Sequence, residues 1–405
     1  MIYQAYQTHT GMLLPLRMLA QTMNLFLSGA SGGAAAWLPV RKLAAAYEVF
    51  RLAELTHARR PFGINSVPVL GKEVGVREVP VHQTPFATLL NFKKDSKTSQ
   101  PRVLLVAPMS GHFATLLRET VRVMLPDHDI YITDWHNARH VPADAGRFGM
   151  DEYIDHLIEF LDVMGPGAHL VAICQPCVQA LAAAAIMAQD NHPAVPASLT
   201  LMAGPVDCRI SPTEVNKLAT AKPIEWFEQN LIGVVPATHA GALRQVSPGF
   251  LQIAAFLNMN LERHLKAFRG LYHDLVNGDD EKASATRSFY EEYFAVADLP
   301  AEFYLETVRL VFQEYALPRG KLKWRGRRVE PRAIRRTALL TVEGEKDDIC
   351  SLGQTLAAQD LCSSLRQFQR THYIQAGAGH YGVFSGRRWS NHIYPVVREA
   401  IYSAD

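Results

Sequence analysis

Three short segments of this 405-residue chain carry residue types that could break an acyl bond. The first is Ala172-Ile173-Cys174-Gln175-Pro176-Cys177. An apolar run enters Cys174, and Pro176 suits the first turn of a helix because its missing N–H costs nothing there. Strand, sharp turn and helix make a nucleophile elbow. A thiol at a helix N-terminus feels the positive end of the dipole, which favours the thiolate. The usual G-x-S-x-G is absent from this elbow. Its match elsewhere, Gly29-Ala30-Ser31-Gly32-Gly33, has no apolar run leading into it and reads as a connector. The plain alternative for Cys174 is a buried, inert cysteine.

The second segment is Glu343-Gly344-Glu345-Lys346-Asp347-Asp348, directly after the apolar run Leu339–Val342. A carboxylate there could orient an imidazole and stabilise its charged form. Asp347 is the choice, and its neighbour Asp348 stays open; a solvated acidic loop is the alternative. The third is Ala376-Gly377-Ala378-Gly379-His380-Tyr381-Gly382, whose glycines let the backbone place His380 at the carboxyl edge of a sheet. A lone histidine is usually structural, but this one completes an ordered set. Nucleophile, acid, histidine is the chain order of the α/β-hydrolase triad. In that arrangement His380 deprotonates Cys174 and Asp347 holds the imidazole tautomer. The oxyanion needs two backbone donors. One is expected from Gln175, and the other from Met109 or Ser110 in the loop after the first buried strand. His112 and Asp134, at neighbouring strand ends, are candidates to line the site.

The elements that must position these residues can be read from periodicity. Val103–Ala107, Ile130–Thr133, His169–Ile173, Leu199–Ala203 and Ala338–Val342 are short apolar runs, as strands buried on both faces read. Helical patterns alternate with them, among them an Ala-rich helix from about Pro176 to Gln189, and a further strand is expected near His372–Ile374. This predicts a mostly parallel α/β sheet flanked by helices. Shorter β-rich runs, Val67–Leu70, Glu73–Val79 and Phe86–Phe92, come first. From Ser211 to Lys321 the strands vanish and aromatics accumulate in a helical pattern. The expected organisation is a helical N-terminal segment (1–65), a first core part (66–210), a helical lid (211–330) and a second core part (331–405). Amphipathic spacing places one N-terminal helix at Gly11–Leu27 and another from Pro39 to about His57.

Composition narrows the class. Forty-one basic against 39 acidic residues, net +2, give no polyanion-binding signature, and 48% hydrophobic residues exclude wholesale disorder. Five cysteines cannot make a disulfide scaffold and fit a reducing compartment better. No apolar run reaches transmembrane length, because Pro15, Arg17, Gln21 and Asn24 interrupt the nearest candidate. A signal peptide would need a basic stretch before that run. Neither a metal-ligand spacing nor a phosphate or dinucleotide loop occurs, so no metal and no cofactor is implied. Arg319–Arg336 carries nine basic residues and one acidic, with Trp324 inside. It reads as a solvated hairpin leading back to the core; nucleic acid or an anionic granule surface are the alternatives.

The chain also resembles the intracellular polyhydroxyalkanoate (poly-3-hydroxybutyrate) depolymerases of bacteria over nearly its whole length. The blocks are Ala107–Leu117 (APMSGHFATLL), Tyr131–Ala138 (YITDWHNA), Ile173–Pro176 (ICQP), Gly204–Asp207 (GPVD), Glu225–Phe227 (EWF), Phe312–Pro318 (FQEYALP), Glu343–Ile349 (EGEKDDI) and Gly379–Trp389 (GHYGVFSGRRW). The resemblance implies an α/β hydrolase with a cysteine nucleophile, acting in the cytoplasm on amorphous storage granules, its triad falling on Cys174, Asp347 and His380. Cys177 stands where the family pattern leads one to expect threonine. The resemblance leaves open monomer preference, product size and whether the chain pairs as a homodimer. Two rival functions use the same residues. A polyhydroxyalkanoate synthase also uses Cys-His-Asp, but usually flanks its nucleophile with glycine. A thiol–disulfide oxidoreductase would use Cys174-x-x-Cys177 and leave Asp347 and His380 unexplained.

Overall fold

The computed structural model describes Tyr3, Tyr6, residues 38–259 and residues 261–405. The helix expected at Gly11–Leu27 and the Ser31 match lie outside the described residues. The second expected helix runs over Leu38–Leu52 and ends five residues short of His57.

The sheet starts antiparallel: β1 (Ser66–Val69) alternates buried and exposed residues, β2 (Lys72–Gln83) is largely exposed, and β3 (Ala87–Lys94) is almost wholly buried. The continuous apolar runs then become β4 (Arg102–Val106), β5 (Asp129–Trp135), β6 (His169–Ile173) and β7 (Ser198–Met202). Between Met202 and Ala338 most of the chain is helical, from Glu214–Thr220 to Ala301–Thr307. One expectation fails here, because strands do not vanish. Three short ones, β8 (Gly233–Val234), β9 (Gln245–Ser247) and β10 (Leu299–Pro300), form a small sheet of their own. Runs of two or three residues are too short to show a period of two in sequence. The basic stretch folds as a hairpin of β11 (Lys323–Trp324) and β12 (Arg327–Arg328). Its arginines pair with body carboxylates, Arg325 with Asp155 (2.5 Å) and Arg327 with Asp190 (2.6 Å). Then β13 (Ala338–Gly344) and β14 (Arg370–Gln375) return to the main sheet.

The nine strands of that sheet run in the order β1-β2-β3-β5-β4-β6-β7-β13-β14. From β5 to β14 every neighbouring pair is parallel, while β3 runs antiparallel to β5. Set aside the leading β1 and this is an eight-stranded sheet whose third and fourth strands exchange places, with its second strand, β3, running against the rest. It is the α/β-hydrolase fold. Because β4, β6, β7 and β13 are parallel, their following loops gather at one sheet edge, where open α/β sheets bind ligands. β6 and β7 are wholly buried. The Ala-rich helix Cys177–Gln189 lies nearly as deep, since alanine lets a helix approach the sheet closely.

One glycine gives this packing a test. A Cβ at Gly204, just past β7, would overlap Cβ and Sγ of Cys177 at the start of that helix. Neither partner can yield, because both belong to the buried core. Gly204→Ala should therefore destabilise the fold by about 1–3 kcal/mol, the usual range for overpacking. A denaturant midpoint matching wild type would show that the helix is free to shift.

Candidate active site

The turn between β6 and the helix Cys177–Gln189 holds Cys174 at a φ of +66°. A side chain other than glycine occupies that region at a cost of about 1–3 kcal/mol and persists only where its surroundings hold it. Two backbone bonds do so: the Cys174 N–H donates to the Met202 carbonyl (2.8 Å), and the Cys177 N–H donates to the Cys174 carbonyl (3.2 Å). Cys177, the first residue of the helix, points the other way. Its Sγ faces the carbonyls of Ala172 (3.4 Å) and Met202 (3.6 Å), and burial pushes its thiol pKa well up.

Asp347 and His380 meet across the ends of two adjacent strands. The Asp347 loop follows β13 and the His380 loop follows β14. The Glu345 N–H donates to Gln375 (3.0 Å) and the Lys346 N–H to Ala378 (2.8 Å), so the loops are tied to each other. The N–H groups of Ile349 (2.9 Å) and Cys350 (2.8 Å) occupy Oδ1 of Asp347. His380 Nδ1 lies 2.8 Å from Oδ2. A carboxylate can only accept, so Nδ1 carries a proton and Nε2 is left for the Cys174 thiol. Both side chains are buried. Burial, the largest influence on His380, pushes its pKa down. The charges of Asp347 and Cys174, and hydrogen bonding to both, outweigh it and hold the imidazole well above its ordinary value. Asp348 borders a second cavity instead.

Cys174 opens on a cavity of about 340 Å³. Met109, Ser110 and Gln175 border it near the thiol, and Trp226, Phe227, Phe256, Phe303, Tyr304 and Phe312 from the segment after β7 wall it. The Met109 loop is pinned by Ala107, whose carbonyl accepts from Trp135 Nε1 (2.9 Å) and the Tyr153 hydroxyl (3.3 Å). The Met109 N–H donates to Oε1 of Gln175 at 3.2 Å. The backbone of the expected oxyanion loop therefore stands one side chain away from the elbow.

Two expected lining residues are not in this wall. His112 is wholly buried, its ring 5.0 Å from Tyr293 and 6.2 Å from Phe256, and burial pushes its pKa down to about 4. Asp134 is buried as well, and its Oδ2 accepts from Arg59 Nε at 2.7 Å. The arginine draws it away from the cavity, because a buried carboxylate is stable only when paired.

The family model described as PHB de-polymerase C-terminus matches residues 203–405, half of the chain. This chain belongs to the PHB depolymerase family. It is a carboxylic ester hydrolase. Asp347 and His380 fall inside the matched residues, and Cys174 lies before them. No curated protein sequence matches. Among solved structures, the depolymerase is similar to 2-hydroxy-6-oxo-6-phenylhexa-2,4-dienoate hydrolase from Rhodococcus sp. strain RHA1, at 12% identity over 81% of this chain and 99% of that one, TM-score 0.44. It is similar also to a thermophilic esterase from Thermogutta terrifontis, at 13% identity over 86% and 99%, TM-score 0.41. A monoacylglycerol lipase from Paleococcus ferrophilus is a third, at 12% identity over 76% and 98%, TM-score 0.43. So distant a likeness says nothing about substrate. No helix of the described residues is long and apolar enough to cross a membrane.

Sequence reasoning missed the group that shapes the acid loop of the depolymerase. Glu343 is buried, and its carboxylate accepts the N–H groups of Gly353 (2.9 Å), Thr355 (2.8 Å) and Leu356 (2.9 Å). It thereby folds residues 344–356 back beneath Asp347. Its position as a charged residue at the end of an otherwise apolar strand was the available signal.

The electrostatic balance on His380 is directly testable. Asp347→Asn removes the larger of the two charges that oppose burial, so the imidazole pKa should fall from its raised value. Titration by imidazole NMR reads this. A pKa unchanged in the variant would mean that Asp347 does not govern the ring.

Proposed function

We propose that this depolymerase hydrolyses the ester bonds of amorphous poly(3-hydroxybutyrate), releasing hydroxyacid oligomers and monomers through a Cys174 thioester. The buried Asp347–His380 hydrogen bond, set beside a strained thiol that opens on an apolar cavity, carries the reading. His380 Nε2 takes the thiol proton as Sγ attacks the ester carbonyl. The tetrahedral oxyanion is held by backbone N–H groups, Gln175 with Met109 or Ser110. When Met109 serves, the amide of Gln175 must swing away to release that N–H. Collapse breaks the carbon–oxygen bond, and the leaving alkoxide takes the proton from His380. Water, deprotonated in turn by His380, then hydrolyses the thioester and restores the thiol. No cofactor takes part in this scheme.

The substrate is apolar, and so is the wall. Leu218 and Trp226 border the cavity while exposed at the surface, which favours docking on a polyester granule in the cytoplasm through the lid. The deeply buried thiol of Cys177 disfavours a Cys174-Cys177 redox couple, since only a thiolate attacks a disulfide. Product analysis with amorphous granules is the deciding experiment: soluble hydroxyacids support hydrolysis, and polymer growth with coenzyme A release would instead identify a synthase.

Two variants follow from the mechanism. Cys174→Ala should lose activity by several orders of magnitude while keeping the wild-type fold, and Cys174→Ser should be nearly as poor because a hydroxyl is far less acidic than a thiol. Residual activity above about 1% would remove Cys174 from the nucleophile role. Leu218→Asp with Trp226→Asp should depress turnover of granules several-fold while sparing a small soluble hydroxybutyrate ester. Equal loss on both substrates would mean that the lid surface is structural.

A further inference from the structure

A second cavity, of about 430 Å³, lies against the histidine side of the candidate centre. Tyr381 and Gly382, which follow His380, and Asp348 and Ile349, which follow Asp347, form one wall. Phe256 and Ile349 belong to both cavities, so the two flank the same centre. Their chemistry differs. The first is walled almost wholly by apolar side chains. The second carries Arg263, on the helix Leu261–Asn277, together with the hydroxyls of Tyr290, Tyr293 and Tyr381.

We infer that this second cavity is a subsite for the free carboxylate terminus of the polyester chain, with Arg263 as its anchor. The inference rests on the hydrolytic reading of Cys174 and His380. Cleaving an ester leaves the acyl half on Cys174, while the alcohol half departs with a proton from His380. The leaving alcohol therefore lies on the histidine side, next to the second cavity. In a polyester of hydroxyacids every acyl half ends in a free hydroxyl, and every alcohol half ends in a free carboxylate. The one charged end of the chain is thus always on the leaving side. That side is also where the structure keeps a cation.

Arg263 is available for this. Among the described residues it forms no ion pair, unlike the arginines of the basic hairpin at Arg325 and Arg327. Its charge reaches inward: burial raises the pKa of Tyr290, Tyr293 and Tyr381, and Arg263 opposes the rise in all three. His264 and Asp348 also face the cavity. His264 Nδ1 lies 2.8 Å from the Tyr290 hydroxyl, and burial lowers its pKa. Asp348, the acidic residue of the wall, has an interaction of its own. A guanidinium recognises a carboxylate through two parallel N–H donors, and the tyrosine hydroxyls can add single bonds. Chains would then be shortened from the carboxylate end, by short leaving groups that fit the cavity.

The test compares a linear 3-hydroxybutyrate trimer as the free acid and as its methyl ester, with wild type, Arg263→Gln and Arg263→Lys. Wild type should prefer the free acid by about tenfold in kcat/KM, the scale of one charge-assisted contact near the surface. Arg263→Gln should erase the preference by weakening the free acid alone, chiefly through KM, and Arg263→Lys should restore part of it. Equal wild-type rates on both trimers, or equal loss on both in Arg263→Gln, would overturn the subsite and leave the hydrolytic reading standing. A wild type that cleaves neither trimer but also no granule polymer would overturn the hydrolytic reading, and the subsite with it.

Discussion

The turn at Cys174 is the constraint on which the site geometry depends. A left-handed cysteine is unfavourable on its own, and the chain tolerates it because three elements meet there. β7 accepts the Cys174 N–H through Met202, the following helix is fixed by the burial of Cys177, and Gly204 leaves the space that Cys177 fills. Gly204 is itself held by Thr355, whose hydroxyl bonds both its N–H (2.8 Å) and its carbonyl (3.0 Å). Thr355 in turn gives its N–H to Glu343 at the end of β13. The elbow and the acid loop, 173 residues apart at Cys174 and Asp347, are thus parts of one hydrogen-bonded assembly.

That chain of contacts separates what the sequence can reveal from what it cannot. Buried parallel strands announce themselves as continuous apolar runs, so β4, β6, β7 and β13 were legible to within a residue or two. The loops after them were legible as places for chemistry, because Gly, Pro and charged residues interrupt apolar patterns there. Long-range polar contacts leave no such trace. A charge at the end of an apolar strand marks Glu343 as unusual without saying that it will take three backbone N–H groups, and nothing at Asp134 says that Arg59 will claim it. His112 looked like a site residue by its place after β4, yet its ring turns into the aromatic packing of Tyr293. The short strands β8 to β10 escaped because each exists only through its partner.

His380 illustrates how opposing effects are resolved by placement. Burial alone would keep the ring neutral, as it does for His112, where a backbone bond to Tyr293 is too weak a counterweight. The difference lies in Asp347, which is itself prepared by the N–H groups of Ile349 and Cys350. Those two bonds fix the carboxylate and leave one oxygen to face the imidazole. An imidazole held in this way can store the thiol proton, which is what a thiolate nucleophile requires of its base in the mechanism proposed.

The two cavities make a further physical point about direction. A polyester of identical units has no sequence, so an enzyme can tell one end of it from the other only by the terminal groups. The terminal hydroxyl differs little in polarity from the chain, whereas the terminal carboxylate carries a full charge. Discrimination by charge needs a cation that is not already spent in an ion pair, close enough to the centre to bear on the departing fragment. Among the described residues, Arg263 meets both conditions on the side of His380, while the cavity that opens from Cys174 has no charged residue in its wall. An apolar arm that accepts any stretch of the polymer and a cationic arm that accepts one end of it would together turn a symmetric chemistry into a directional one.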